Sequence, residues 1–544
     1  MQEKRDISPF NTLSVLTSYL KELLTKVYEL TNALVAQRKE LEEAKAEIRR
    51  LKNLPKKPTI KASKLDDPIK GDKSKKGNKE EKESKRRKGS DKEKKQANLE
   101  IHNKICVSAE EIPADWKLVG YKRRIIQDVI IQANNISYEL EIWESPDGLQ
   151  RKEAKLPEYL ENTHFGPTLK AYILHQYYEC CVSQPLIYST LKDLGVKIST
   201  GQISNILIED KELYHAEKAS LLAKAIELAE ELRTDDTGAR HQAKNGYCNC
   251  ISSDLFTYFT TSYSKSRINF LEILRMDRED YVLNQTALDY MQSEKLPTKY
   301  YDVLLGSYRN GNCNFKDEAS LVAYFNAHNF TAAYAIRTMT QGLLIGCLVE
   351  NGFDPSIGIH SDGAGQFNLF VHSLCWKHAE RPLVKLICVT KWQEQQLEDK
   401  KTAFWTLYQA LKFYKKNPTK ELAQELTKQF DQMCEPVVGF DALNKILVSL
   451  KAKESQLLLV LDRPETSLHN NTTEGDIREY AKRRKLSAGT RSENGRKARD
   501  TFLSLKKTCR KLEISFWEYL LDRLQNKNQI LPLAELMALK AAHS

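Results

Sequence analysis

Residues 467–511 read SLHNNTTEGDIREYAKRRKLSAGTRSENGRKARDTFLSLKKTCRK. Asn470 and Asn471 stand just before a helix-forming run, where asparagine is a preferred N-cap residue. Glu474 falls in the first helical turn, where free N–H groups favour a carboxylate, and Arg478 lies one turn later on the same face. The 34 residues that begin at Arg478 hold 13 Lys or Arg and 3 Asp or Glu. This pattern indicates either a metal-binding carboxylate beside a polyanion or a capped surface helix with a solvated basic face.

Positive charge is concentrated in two parts of the chain. The 544 residues carry a formal net charge of +11. One basic tract begins at Arg478, and the other spans residues 52–95, with 18 Lys or Arg and 8 Asp or Glu. Concentrated positive charge favours a nucleic-acid partner.

Composition also excludes several classes of protein. Eleven scattered cysteines form no disulfide-like framework, which suits a reducing compartment. The apolar runs are too short to span a bilayer, and the charged N-terminus lacks a signal core. The sequence contains no Walker phosphate loop, zinc-protease helix or serine-hydrolase elbow. We therefore expect a soluble intracellular protein that does not hydrolyse nucleotides.

Heptad spacing dominates the N-terminal region. Apolar residues recur every seven positions from Leu13 to Ile48, and a second seam runs from Leu16 to Leu51. Residues 1–54 are therefore predicted to form a coiled coil that self-associates, the alternative being one amphipathic helix packed on its own domain. Residues 55–98 are predicted to be a disordered basic linker. The linker either touches DNA phosphates or is a solvated tether.

The next two regions are predicted to bind DNA. Residues 117–144 are β-branched and partly alternating, which predicts a small β-rich domain over residues 99–160. Residues 161–215 predict a helical domain with two short helices around Gly195, the second capped by Ser199 or Thr200. This pattern is typical of a helix-turn-helix, whose second helix enters a major groove, and also of other helical hairpins.

Three acids follow in a characteristic order of elements. Asp235 lies on a strand that precedes two strands joined by a turn at Ser253–Asp254 and then a helix. Asp362 ends a later buried strand, and Glu474 lies on a late helix. This order describes a ribonuclease H-like core. Three carboxylates converging there can hold two Mg²⁺ ions, with Mn²⁺ the alternative, for in-line phosphoryl transfer.

The predicted fold class is a multidomain α+β or α/β protein. The ribonuclease H-like core is predicted to cover residues 216–500. The intervals between the three acids are long for such a core, so they require helical insertions. The insertions are predicted near residues 282–340 and 381–465, and C-terminal helices over residues 501–544.

Several segments carry a more specific signal. In chain order they read GYKRRIIQDVII, FGPTLKAYI with ISTGQISNIL, LRTDDTGAR, IHSDGAGQF with LCWKHAERPL, and LDRPETSLHNNTTEGDIREYAKRRKLSAGTRSENGRKARDTFLSLKKTCRKL. In these segments, which cover most of residues 115–525, the chain resembles the insertion sequence 66 family of bacterial DDE transposases. The resemblance implies that Asp235, Asp362 and Glu474 are the catalytic, metal-binding triad. The choice of Asp235 over Asp236 rests on aligning TDDTG with the family's acid-acid-Thr motif.

The resemblance implies a transposase that binds terminal inverted repeats, cleaves DNA at the ends and joins 3′-hydroxyls to target DNA. Its partners would be double-stranded DNA, accessory proteins of the same element, and a second copy of the chain bound through the coiled coil. The protein would lie in the bacterial cytoplasm, associated with the nucleoid. The alternatives are a catalytically inactive DNA-binding relative and a coiled-coil scaffold whose basic tracts bind RNA or acidic proteins.

A set of basic side chains is expected to contact DNA. Phosphate contacts dominate affinity and carry no sequence information. The residues expected to make these contacts are Arg478, Lys482, Arg483, Arg484, Lys485, Arg491, Arg496, Lys497 and Arg499. We expect His378 and Arg381 to line the DNA groove or to pack near Asp362.

No zinc site is predicted. Many members of the resembled family carry a cysteine-rich zinc module after the linker, but that region here has only Cys106. Cys248 and Cys250 alternate on one strand face and are expected to be packed core cysteines. Cys375 and His378, one helical turn apart, have the spacing of zinc ligands, but we favour the DNA groove for His378.

Overall fold

The protein is described here from a computed structural model. The structure describes residue 26 and residues 100–108, 116–147, 149–161, 163–311 and 313–543. The predicted coiled coil and basic linker lie outside these residues, except for Lys26. The chain divides into two compact units, residues 1–127 and 128–544.

Among its described residues, the predicted β-rich region contains one short hairpin. Residues 116–141 form neither helix nor strand. Strands β1 (Ile142–Glu144) and β2 (Arg151–Glu153) then pair antiparallel. The prediction of strands from residue 117 to 141 is therefore wrong. Its physical reason is that β-branched residues favour a strand only where a neighbour offers hydrogen bonds and apolar cover, and side chains such as Ile130 are 79% exposed.

The two helices predicted around Gly195 are confirmed. They are preceded by a 3₁₀ turn, Glu158–Leu160, and by the first helix of a four-helix group. Gly195, at φ +81°, adopts a left-handed conformation that costs glycine little. Ser199 caps the second helix, because its Oγ accepts a hydrogen bond from the backbone N–H of Gln202 at 3.1 Å. The helices of this group are α1 (Pro167–Tyr178), α2 (Gln184–Asp193), α3 (Thr200–Ile208) and α4 (Glu212–Leu228).

A five-stranded mixed sheet forms the centre of the second unit. In chain order the strands are β3 (Glu231–His241), β4 (Lys244–Ser252), β5 (Thr257–Ser262), then a separate pair β6 (Tyr281–Val282) and β7 (Asn314–Phe315), then β8 (Gly358–Ser361) and β9 (Val371–Leu374). The order in the large sheet is β5-β4-β3-β8-β9. β3, β4 and β5 pair antiparallel, whereas β8 runs parallel to both β3 and β9. The predicted turn at Ser253–Asp254 joins β4 to β5.

Helices fill the two long intervals between the strands and follow the last of them. Between β5 and β8 lie α5 (Arg267–Arg275), α6 (Gln285–Ser293), α7 (Thr298–Arg309), α8 (Glu318–Ala327) and α9 (Ala333–Glu350). After the 3₁₀ turn Gly365–Phe367 and β9 come α10 (Trp376–Lys385), α11 (Lys391–Tyr414), α12 (Lys420–Cys434), α13 (Asp441–Lys451), α14 (Glu454–Leu457) and the 3₁₀ turn Leu459–Leu461. The chain ends with α15 (Asn471–Ser487), α16 (Glu493–Lys511), α17 (Phe516–Leu524) and α18 (Leu533–Ala542).

The buried apolar side chains of the described residues form a large core, a separate helical core and a small core between the sheet and α15. The large core joins α1–α4, the sheet, α5–α9 and α16–α18. The second core is built by α10–α14, with Trp376, Phe404 and Phe430 fully buried. The predicted insertion near residues 381–465 falls within this second core, whereas the one near residues 282–340 packs into the large core. A mixed α/β fold is confirmed, and the domain boundaries stay predictions.

None of the helices in the described part of the chain combines the length and apolarity needed to cross a membrane.

Candidate active site

The first acid, Asp235, lies on the face of β3 that is covered by α15. It is opposite Cys250 of β4 in the antiparallel register, and directly opposed residues share a sheet face. Cys250 is fully buried and packs with Ile477 and Tyr480 of α15 in a small core. Cys248 packs in the same core, so the prediction of packed core cysteines is confirmed. The backbone alternates, and Asp236 therefore faces the other side of the sheet.

The second acid, Asp362, directly follows β8. Arg233 of β3 is aligned with His360 of β8 in the parallel pairing. Continuing this register by two residues sets Asp362 alongside Asp235. The chain turns at Gly363, which has φ +95°, and the N–H of Ala364 donates to Oδ1 of Asp362 at 2.9 Å.

The third acid, Glu474, lies in the first turn of α15. Its Oε1 is 3.7 Å from Nε2 of His378 and 3.9 Å from a guanidinium nitrogen of Arg381, both on α10. Arg478, four residues further along α15, donates to Oε2 at 3.4 Å. Arg478 therefore lies beside Glu474, as its position one helical turn later predicts, and His378 and Arg381 lie beside the same carboxylate.

The pKa of Asp235 responds to the charges of the other two acids. The pKa of Asp235 is raised to about 7, mainly by burial and also by the charges of Asp362, Asp236 and Glu474, while the N–H of Asp236 opposes the shift. The fourth carboxylate, Asp236, has its own partners. Gln366 donates to its Oδ2 at 2.5 Å, and the ammonium of Lys265 is 3.9 Å from Oδ1. Burial raises the pKa of Asp236, and Lys265 lowers it.

The donor chemistry of the three acids fits a hard divalent cation. A buried carboxylate surrounded by like charges gains from a nearby cation, and carboxylate oxygens are the ligands that Mg²⁺ prefers. Within the described residues, however, no three His, Cys, Asp or Glu side chains are arranged closely enough to hold a metal ion as they stand.

His378 and Cys375 make different contacts. Burial and the charge of Arg381 lower the pKa of His378, whereas the charges of Asp362 and Glu474 raise it. Its Nδ1 is buried without a hydrogen-bond partner. The sulfur of Cys375 accepts a hydrogen bond from the backbone N–H of Asn470 at 3.4 Å. His378 therefore lies beside the carboxylate of Glu474, whereas Cys375 is hydrogen-bonded to Asn470, the residue before α15.

The basic residues predicted to contact DNA differ in exposure. Lys482 is exposed and pairs with Glu479 of its own helix at 3.1 Å. Exposed side chains are available to a polyanion, and six of the predicted residues meet this condition. They are Arg381, Arg478, Lys482, Lys485, Arg491 and Lys497.

Two predicted DNA contacts, Arg483 and Arg499, are enclosed in the protein. Arg483 is fully buried, its guanidinium carbon lies 3.4 Å from the centroid of the Tyr177 ring, and Nη1 donates to the carbonyl of Val182 at 3.3 Å. Arg499 is 4% exposed and donates to Oγ of Ser487 at 2.9 Å. Phosphate contact by these two guanidinium groups therefore has no support.

Arg484 and Arg496 are half-buried and bonded within the chain. Arg484 donates to the carbonyl of Gly238 on β3. Arg496 donates to the carbonyl of Thr261 on β5 at 2.5 Å and pairs with Glu493. Both tie the basic helices to the sheet, which the charge of the tract alone did not indicate.

Asn470 has a role that the sequence interpretation missed. It occupies the predicted N-cap position of α15, but its side chain makes no capping hydrogen bond. Instead its Nδ2 donates to the backbone carbonyl of Thr234 at 2.9 Å. The signal in the sequence was the pair Asn470–Asn471. One N-cap position needs only one asparagine, so the second asparagine indicates a different contact.

The chain is similar to a known family model and to a known protein. Residues 313–498 match the model of a family described as transposase IS66 family. This range includes Asp362 and Glu474 and begins after Asp235. The chain is also 39% identical over 314 residues to the uncharacterized protein y4jO of Sinorhizobium fredii (strain NBRC 101917 / NGR234). That similarity covers 57% of this chain and 97% of y4jO.

Proposed function

Because the chain belongs to the IS66 family of transposases, we propose that it is a DDE transposase that cleaves DNA at terminal inverted repeats and joins the 3′-hydroxyls to target DNA. The observation that carries this proposal is the half-buried Asp235, whose pKa is raised first by burial and then by the charges of Asp362 and Glu474. Perturbed carboxylates clustered around a sheet end are typical of catalytic sites.

The sheet supports a ribonuclease H-like core. Three antiparallel strands are followed by two parallel ones in the order β5-β4-β3-β8-β9. In chain order within this sheet, the acids come from its first strand, β3, from the residue that follows its fourth strand, β8, and from helix α15. This arrangement agrees with the order of elements expected from the sequence.

Asp235 is the better candidate for the first acid. It shares the α15 face with Glu474, whose charge raises its pKa. Asp236 lies on the opposite face, where Gln366 and Lys265 already satisfy its carboxylate.

We assign the metal ligands to Asp235, Asp362 and Glu474. Two Mg²⁺ ions, or Mn²⁺ in their place, would supply Lewis-acid activation of an oxygen nucleophile and charge stabilisation at the leaving oxygen. His378 and Arg381 border the Glu474 carboxylate. Their N–H groups are placed to donate to phosphate oxygens of DNA that enters beside Glu474.

Exposed cations of α15 and its surroundings would hold the DNA backbone. Arg478, Lys482 and Lys485 follow one another at spacings of four and three residues, so they share one exposed helix face. Their contacts would be independent of sequence. Helix α3, capped by Ser199, is the candidate for reading the end sequence in a major groove.

The remaining partners are proposals from sequence alone. Residues 1–54 would pair two subunits through heptad contacts, so that two transposon ends are held together. Accessory proteins of the same element would assist, as the family resemblance implies.

Labelled repeat DNA tests the proposal. The purified protein with Mg²⁺ should cleave the 3′ ends, and Asp362→Asn or Glu474→Gln should reduce the rate by about a hundredfold or more, since metal activation supplies several kcal/mol. Both variants should still bind the repeat. The matched control is Asp289→Asn, which changes an exposed acid on α6 and should cleave normally.

Two other results are informative. Cleavage that survives in both triad variants would contradict the assignment. Repeat binding without cleavage by the unaltered protein, with either Mg²⁺ or Mn²⁺, would favour the catalytically inactive relative.

A further inference from the structure

Asn470 connects three elements that meet at the acids. Its Nδ2 donates to the carbonyl of Thr234, the residue before Asp235, at 2.9 Å. Its backbone N–H donates to the sulfur of Cys375, at the start of α10, at 3.4 Å. Its carbonyl accepts the N–H of Glu474 at 2.9 Å. One residue thus contacts β3, the start of α10 and the first turn of α15.

The side chain of Asn470 does not make the capping hydrogen bond that asparagine usually makes at an N-cap position. An N-cap asparagine accepts from a backbone N–H of the first turn, but Asn470 makes no such bond. Its Oδ1 is instead buried without a hydrogen-bond partner, and the residue is 0% exposed. Leaving an acceptor unsatisfied in the interior costs free energy, so local helix stability does not account for this side chain.

The connected elements are those that carry the functional groups. The Thr234 carbonyl fixes the backbone one residue before Asp235, and Glu474 is one helical turn after Asn470. Cys375 leads into α10, which presents His378 and Arg381 to Glu474. A shift of Asn470 would therefore change the separation of Asp235 and Glu474.

We propose that Asn470 is a positioning residue that sets the distance between Asp235 and Glu474 for divalent-cation binding. The inference rests on the proposed function, because it takes the two acids as ligands of one cation site. Residues that orient metal ligands without touching the metal commonly change its affinity by 10- to 100-fold when altered.

Mn²⁺ binding measured by electron paramagnetic resonance tests the proposal in the full-length chain. Asn470→Ala should weaken Mn²⁺ binding by about tenfold or more. The Mg²⁺ concentration for half-maximal cleavage should rise by the same factor, and saturating Mg²⁺ should restore most of the rate. Repeat-DNA affinity should stay within about twofold, because Asn470 is buried. The matched control is Asn471→Ala, at the exposed neighbouring position, which should bind Mn²⁺ as the unaltered protein does.

The outcomes separate this inference from the proposed function. A folded Asn470→Ala protein with unchanged Mn²⁺ affinity, or one that cleaves slowly at every Mg²⁺ concentration, would overturn the positioning role. If Asn470→Ala is insoluble, Asn470→Leu decides in the same way, because it roughly keeps the size of the side chain, removes the donor and adds no charge. An unaltered protein that binds Mn²⁺ through Asp362 but cuts no DNA would contradict the proposed function and leave the positioning role to be decided by the Mn²⁺ affinities. An unaltered protein that binds no Mn²⁺ would contradict both.

Discussion

The guanidinium of Arg483 stacks on the ring of Tyr177, with its central carbon 3.4 Å from the ring centroid. This contact joins α15, which carries Glu474, to α1. Arg483 is fully buried and also donates to the carbonyl of Val182. Arg483→Ala should lower the free energy of unfolding by about 2–4 kcal/mol, because it removes a desolvated cation–π contact and leaves a cavity. Urea unfolding measures the change.

The control for this prediction is the preceding residue. Lys482 is exposed, and Lys482→Ala should change the free energy of unfolding by no more than about 0.5 kcal/mol. Equal stability of the two variants would show that the stacked guanidinium does not stabilise the fold.

The exposed cations should govern the salt dependence of DNA binding. Lys482→Ala and Lys485→Ala should each lower affinity for repeat and unrelated DNA alike, and each should reduce the slope of log affinity against log salt by about one. Fluorescence anisotropy over a salt series gives the slope. Arg499→Lys, which alters a buried side chain, should leave it unchanged. A slope that responds to Arg499 but not to Lys482 would place the DNA elsewhere.

The two neighbouring aspartates should differ in their effect on cleavage. Asp235→Asn should abolish single-turnover cleavage, because it alters the carboxylate on the α15 face. Asp236→Asn should retain activity within about tenfold, since this carboxylate is bonded to Gln366 and lies near Lys265. The reverse result would assign the first acid of the triad to Asp236.

Asp235 should make the metal-free protein less stable as the pH rises. Its pKa is about 7 in the folded protein, against an ordinary value of 3.8. An acid with a raised folded pKa contributes stability below its unfolded pKa, and that contribution is lost as pH rises through the folded pKa. Asp235→Asn removes the charge, so it should raise the free energy of unfolding at pH 8 by a few kcal/mol and change it little at pH 4.

Urea unfolding in the presence of a chelator measures this difference. A stabilisation of equal size at both pH values would indicate a packing effect of the substitution instead of titration of Asp235.

Local sequence signals predicted much of the fold around the acids. The turn at Gly195, the cap at Ser199 and the Ser253–Asp254 turn depend on residues near each other in the chain, and all three were found. The strand that ends before Asp362 is marked by an apolar run and a glycine turn. Such features need no knowledge of the tertiary structure.

Tertiary contacts account for the features that were missed. Arg483 belongs to a dense basic tract, yet it follows Ile477 and Tyr480 at helical spacing on the buried side of α15. This helical spacing is visible in the sequence, but the positive charge of the tract favoured the prediction of a DNA contact for Arg483. Asn470 could not be separated from an ordinary cap, because its partner Thr234 is 236 residues away in the chain.

The two ends of the chain segment that carries α10–α14 lie next to each other. The N–H of Trp376 donates to the carbonyl of Leu468 at 3.0 Å, and both side chains belong to that core. The chain therefore leaves the sheet and returns to it through two neighbouring backbone segments. The position of α15 is set by where those two segments lie, and not by the number of residues between them. Because loop-closure cost grows only slowly with length, we expect that changes in the length of α10–α14 between these two ends would leave Glu474 on the same side of the sheet as Asp235.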